Sequence, residues 1–224
     1  MSSSPEVGQS RLTLLLIAGT PLIIILAASW LWYFVVQGNI DLVGAIGTAN
    51  NGTLITPPRQ IRSQAFQDDV GASFGWQDLE PRWTLVLVNS GSHCDSACER
   101  RLYFARQIHI ALGKEFNRVQ RVYIGDTPTD AVTVEASQEI TPGAPVAYDG
   151  NDLAGYLAST QQGLVPLTLS AEELRATFPE LLDHQDQWFL VDPAGWIMMR
   201  FDDQLDYKAV LADLKFLLKH SGGA

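Results

Sequence analysis

The stretch Trp83-Thr-Leu-Val-Leu-Val-Asn-Ser-Gly-Ser-His-Cys94-Asp-Ser-Ala-Cys98-Glu-Arg-Arg-Leu102, running on to Leu112, decides how the rest of the chain is read. Residues 85–88 form an unbroken Leu/Val run, the pattern of a strand buried on both faces. A Ser/Gly turn follows, then Cys94 and Cys98, then a helical spacing that puts Leu102, Ala105, Ile108 and Leu112 on one face. The chain's two cysteines therefore fall where a central strand hands over to a helix. In an open α/β sheet the carboxyl end of a strand is where ligands and chemistry gather.

Downstream, residues 119–124 read as a second buried strand, completing a βαβ unit with parallel strands and a right-handed crossover. Residues 126–163, rich in Pro, Gly, Thr and Asp, predict loops with one or two short elements. Ser170-Ala-Glu-Glu173 is a capping box opening a helix that Pro179 closes. Residues 188–191 predict a strand, Asp192-Pro-Ala-Gly195 a turn, and residues 196–201 its hairpin partner. A last amphipathic helix carries Tyr207, Val210, Leu211, Leu214, Leu217 and Leu218 on one side.

Upstream, Gly52-Thr-Leu-Ile-Thr-Pro-Pro-Arg59 predicts a short strand stopped by Pro57-Pro58, and residues 66–81 a hairpin or loop on the domain edge. Residues 12–36 carry no charge. At about 1.5 Å per residue they are long enough to cross a bilayer core of about 30 Å. Trp30, Trp32 and Tyr33 lie near the far end, where an interfacial belt falls, and Pro21 is tolerated with a kink. A cleaved signal peptide is the competing reading, with Ala27-Ala28-Ser29 as its site, but the apolar run exceeds the usual 7–15 residues. Arg11 precedes the run, and no Lys or Arg follows it until Arg59, so the positive-inside rule exports the main domain. The expected organisation is a short cytoplasmic N-terminus (1–11), a transmembrane anchor (12–36), a tether (37–52) and an exported domain (53–224).

The bulk numbers agree with a globular domain plus an appendage: 224 residues, 46% hydrophobic and 18% charged. A net charge of −10 without a basic patch excludes nucleic acid as the main partner. Two cysteines are too few for a disulfide scaffold.

Placed on the first turn of a helix, Cys94 and Cys98 would share a face with Cα atoms about 6 Å apart, within disulfide range. The same geometry lets two thiolates converge on one metal ion, and a helix N-terminus favours the thiolate. A structural disulfide, a redox-active dithiol and a metal site remain equal readings of the spacing. Among the histidines, His93 reads as a solvated loop residue, His109 as a core-edge residue and His220 as part of the tail. His184 precedes a strand expected beside the first one, so its loop can face the cysteine turn.

The element order resembles a thioredoxin-like α/β fold. With Cys94-x-x-x-Cys98, Asp183-His184 and the following Trp-Phe-Leu-Val-Asp-Pro-Ala-Gly195, the chain resembles the Sco/SenC family of membrane-anchored cytochrome c oxidase assembly proteins. That resemblance implies copper as cofactor, Cu(I) with Cu(II) as a second state, held by Cys94, Cys98 and His184. Soft thiolates and an imidazole suit Cu(I), and Asp183 is placed to orient His184. It further implies cytochrome c oxidase subunit II or other oxidase assembly factors as partners. The location it implies is the cytoplasmic membrane, single-pass, with the main domain in the periplasm. Its role would be that of an assembly factor; the enzymatic alternative is a thiol–disulfide oxidoreductase using Cys94 and Cys98, and a non-catalytic module stapled by a disulfide is the third. The chain departs from the family in having Asp95 and Glu99 where proline is usual after each cysteine. Their charge should raise the thiol pKa values and oppose the helix dipole, while favouring a cation.

Overall fold

The computed structural model describes residues 6–36, 50–135, 148–184 and 186–221, with side chains in the N-terminal helix described at 16–30 and 33. The chain divides into two units, residues 1–49 and 50–224.

The first unit contains helix α1 (Glu6–Val36), which begins six residues before the expected span and includes Pro21. Its described apolar side chains, among them Ile23, Ile25 and Leu26, are exposed. Among the described residues no helix is long and apolar enough to cross a membrane.

In the second unit the strands are β1 (Thr53–Gln60), β2 (Phe66–Gln67), β3 (Ser73–Phe74), β4 (Trp83–Asn89), β5 (His93–Cys94), β6 (Val119–Gly125), β7 (Thr133–Val134), β8 (Leu164–Thr168), β9 (Trp188–Val191) and β10 (Trp196–Phe201). The helices are α2 (Ser96–Ala111), α3 (Leu153–Thr160), α4 (Ala171–Thr177) and α5 (Tyr207–His220). Eight strands form one sheet in the order β1-β10-β9-β4-β6-β8-β2-β3, and β5 with β7 form a second, two-stranded sheet. Strands β4, β6 and β8 are parallel, whereas β9 runs antiparallel to β4.

The Leu/Val run of β4 is buried on both faces because alternate side chains serve two cores. Leu85 and Leu87 pack with Leu102, Ala105 and Ile108 of α2 and with Val210, Leu214 and Leu218 of α5. Val86 and Val88 pack on the other face with Phe66, Trp76, Leu174 and Phe178. The β2–β3 hairpin thus lies at the sheet edge as expected, with Phe66 and Trp76 as its buried anchors. The capping box forms, Ser170 Oγ accepting from Glu173 N–H at 3.2 Å. Asp192 Oδ1 accepts from the N–H groups of Ala194 and Trp196 at 2.9 and 2.8 Å, and Gly195 takes φ +84°, where a Cβ would be strained.

One sequence expectation changes here. Pro57-Pro58 does not stop β1; the prolines lie inside it, where the pairing register with β10 shifts between Leu54 and Arg59. An edge strand with an irregular ladder loses little to a missing N–H. The irregular region contains β7 and α3, and its residues 136–147 lie outside the described residues.

A buried carboxylate that the pattern did not reveal joins the ends of the domain. Asp213, 3% exposed on α5, accepts from Gly52 N–H (2.8 Å), Asn51 N–H (2.9 Å to Oδ2) and Asn51 Nδ2 (2.8 Å to Oδ1).

Candidate functional site

The cysteines sit at the carboxyl end of β4, but on different elements. Cys94 belongs to β5, ahead of the helix, and Cys98 to the first turn of α2; the expectation that both lie on the helix is corrected accordingly. The reason is Asp95, which adopts extended backbone as N-cap and accepts from Cys98 N–H at 2.9 Å. An N-cap lies outside the helix, so the residue before it cannot be helical. The family departure at this position is thus a helix-capping residue.

Cys94 and Cys98 are joined in a disulfide with Cα atoms 5.2 Å apart. Both residues are buried, at 0% and 4% exposure, within the core shared by β4 and α2. Parallel pairing of β5 with β7 and a hydrogen bond from Glu135 N–H to Cys94 C=O (2.9 Å) hold the Cys94 backbone. Glu99 accepts from Tyr156 Oη at 2.7 Å, linking the first turn of α2 to α3. Burial, then that acceptor, raise the Tyr156 phenol above its ordinary range.

The approach to the pair is tied down by Asp126, whose carboxylate accepts from Ser90 Oγ (2.7 Å) and Gly91 N–H (2.6 Å). His93 is an exposed surface residue, as expected; its ring contacts Thr133 Oγ1 at 2.9 Å and Glu135 Oε1 at 3.3 Å.

His184 lies after a 3-10 turn, Pro179–Leu182, and before β9. Its backbone N–H bonds Glu180 C=O at 3.1 Å, and Glu180 is itself held to β1 by a bidentate pair with Arg59 at 2.8 and 2.7 Å. The His184 side chain is exposed. Among the described residues no hydrogen bond joins it to Asp183. Nor, among the described residues, do three or more His, Cys, Asp or Glu side chains gather where they could hold a metal ion.

One open cleft of about 590 Å³ nevertheless borders both segments. Asn89, His93, Asp95 and Ala97 line it on the cysteine side, and Leu182 and Asp186, which flank His184, line it on the other. The loop carrying the histidine therefore faces the turn carrying the cysteines across one space. Arg101, which also lines the cleft, bonds Asp203 at 3.2 Å. Burial holds the Asp203 carboxyl above its ordinary range despite that guanidinium.

His109 is a core-edge histidine, as expected, with its buried Nδ1 left without a hydrogen-bond partner among the described residues. It stacks on Phe116 at 3.9 Å between centroids, with Nε2 2.9 Å from the Phe116 carbonyl. A carbonyl only accepts, so Nε2 carries the proton. Desolvation, above all, lowers its pKa.

Residues 83–148 and 154–221 match the family described as transmembrane-like, thioredoxin-like, C-terminal domain. No curated protein matches the chain. Among solved structures, yeast Sco1 with copper bound superposes with a TM-score of 0.51 at 17% identity, covering 78% of this chain and 96% of that one. The apo Sco1 protein of Thermus thermophilus gives 0.52 at 17% identity, covering 76% and 99%. Arabidopsis thaliana ScoI with copper bound gives 0.50 at 14% identity, covering 70% and 96%. The Sco/SenC resemblance is met in the fold. By the family match over more than half its length, the chain belongs to the transmembrane-like, thioredoxin-like, C-terminal domain family.

Proposed function

We propose that this chain is a membrane-anchored, copper-binding assembly factor that delivers copper to, or matures, the binuclear copper site of cytochrome c oxidase subunit II. The observation that carries this reading is the single cleft shared by the cysteine turn and the loop of His184, at the carboxyl end of a central strand in a Sco1-like fold. Copper is the cargo, and Cys94, Cys98 and His184 are its ligands.

The disulfide supplies no thiolate. Two electrons and two protons from a partner dithiol, itself oxidised to a disulfide, must first convert Cys94–Cys98 to two thiols. Their Cα separation of 5.2 Å then lets both sulfurs approach one ion. Thiolates suit Cu(I), and a neutral imidazole completes a three-coordinate site. The exposed His184, on a loop across the cleft, is the ligand that must move. Anchoring rests on the sequence, in the charge-free run of residues 12–36. In this reading the domain lies on the periplasmic side of the cytoplasmic membrane.

The burial of both cysteines favours a second reading, a structural staple. An exchange-active pair in a thiol–disulfide oxidoreductase needs an accessible sulfur. A Cu(I) competition titration on the reduced protein separates the readings. His184→Ala should weaken binding at least tenfold, and X-ray absorption should report two sulfurs and one nitrogen. Unchanged affinity in His184→Ala rejects the ligand assignment, and a disulfide potential below about −300 mV favours the staple.

A further inference from the structure

His184 hangs between two fixed points. On one side Phe178 is fully buried and packs on Phe189 of β9, with ring centroids 4.7 Å apart. On the other, Gln187 is buried, its Oε1 accepts from Arg200 Nη1 at 3.3 Å, and Trp188 opens β9. Between them the chain comes to the surface: Leu182 and the His184 side chain are exposed. The 3-10 turn Pro179–Leu182 is the base of this arc, and its Leu181 and Leu182 line the cleft that His93 and Asp95 also line.

Glu180 holds the turn twice. Its carbonyl accepts from the N–H groups of Asp183 and His184 at 3.3 and 3.1 Å. Its carboxylate accepts from Arg59 Nη1 and Nη2 at 2.8 and 2.7 Å. Arg59 is on β1, in register with Ile197 of β10, so its backbone belongs to the eight-stranded sheet. Two residues thus connect the sheet to the backbone N–H of His184. An ion pair whose side chains are 30% and 16% exposed contributes little to stability, at most about 1 kcal/mol. Arg59 Nε is buried and, among the described residues, has no acceptor, a cost that offsets part of even that gain. A two-pronged guanidinium–carboxylate contact does more for geometry, because two parallel bonds fix orientation as well as distance. Orientation is therefore what this pair supplies.

We propose that Arg59 is a positioning residue of the copper site: through Glu180 it sets the place from which His184 reaches across the cleft to Cys94 and Cys98. This rests on His184 being the nitrogen ligand, as proposed above. Arg59 itself touches no metal. With the base of the arc fixed, less conformational freedom is lost when the imidazole is captured, and the saving shows as affinity.

Cu(I) competition titration on the reduced full chain tests this, with Arg59→Lys and Glu180→Gln each made alone and together with His184→Ala. Lysine keeps the charge but not the fork. Each single variant should weaken Cu(I) binding about tenfold, the lower end of what supporting partners of a ligand histidine are worth. Neither should weaken it further once His184 is alanine. Arg118→Met breaks an ion pair with Glu115 beyond the C-terminal end of α2. It should lower Tm and leave the affinity unchanged, which separates positioning from a general loss of stability. In the copper-free protein, amide hydrogen exchange at Asp183 and His184 should speed up several-fold in Arg59→Lys, with Cys98 N–H, held by Asp95, unchanged. Three results overturn the positioning role: Arg59→Lys binding like wild type where His184→Ala does not, an equal further loss in the His184→Ala background, or unchanged exchange at His184. If His184→Ala itself binds like wild type, it is the ligand assignment that fails, and Arg59 loses its role with it.

Discussion

Removing the Asp213 carboxylate should unfasten the entry of the chain into its domain. The group accepts from two backbone N–H groups, at Asn51 and Gly52, and from the Asn51 amide, all at 2.8–2.9 Å. The Gly52 bond is buried. A hydrogen bond to a charged group contributes about 1.5–3 kcal/mol, and a buried donor left unpaired costs about 1–3 kcal/mol. Because Asn51 is exposed and can turn to water, the sum for Asp213→Ala is on the order of 3 kcal/mol. For a domain of this size 1 kcal/mol moves Tm by about 2–4 °C, so a fall of roughly 6–12 °C is expected. Asp213→Asn is the sharper variant. Donors approach both oxygens, so either amide orientation sets an NH2 group against an N–H. Thermal unfolding followed by near-ultraviolet circular dichroism reads the effect. An Asp213→Asn protein as stable as wild type would refute the reasoning, because only the carboxylate accepts on both sides.

Asp95→Ala removes the N-cap of α2 and should cost about 1 kcal/mol, with Asp95→Ser recovering most of it; urea titration measures both. Gly52→Ala should destabilise by about 1–3 kcal/mol, since its Cβ would lie 2.5 Å from the buried Phe201 ring and 2.6 Å from Met199 Sδ; an unchanged Tm would show that this corner yields. His109 makes stability fall with acid. Its folded pKa lies below the unfolded value of 6.5, so the unfolded chain takes up the proton first. Stability is full above that value, declines as pH drops through the window down to the folded pKa, and then levels. His109→Gln should remove this part of the pH slope in unfolding titrations.

Much of the site was legible because its signals are local. The Leu/Val run of β4 marks a strand covered on both faces, and the structure fills both cores around it. The helix face of Leu102, Ala105 and Ile108, the Ser170–Glu173 box and the Asp192–Gly195 turn are short-range patterns, and each forms where expected. Pro57 and Pro58 misled because their meaning depends on strand position: in an interior strand they would end the ladder, but β1 is an edge. Asp95 was read only for its charge, although an Asp three residues before an N–H in a first turn is also a capping signal.

The sequence by itself determined the elements, their faces and the place of the cysteine pair at the end of a central strand, because hydrophobic period and turn chemistry act over a few residues. Tertiary structure alone decided that Cys94 and Cys98 are bonded and buried, that the His184 loop meets their turn across a cleft, and that Asp213 and Arg121 sit inside the protein. Those facts depend on which distant segments share space. A lone Asp or Arg in a sequence looks the same whether it faces water or the donors and acceptors of a strand and helix many residues away.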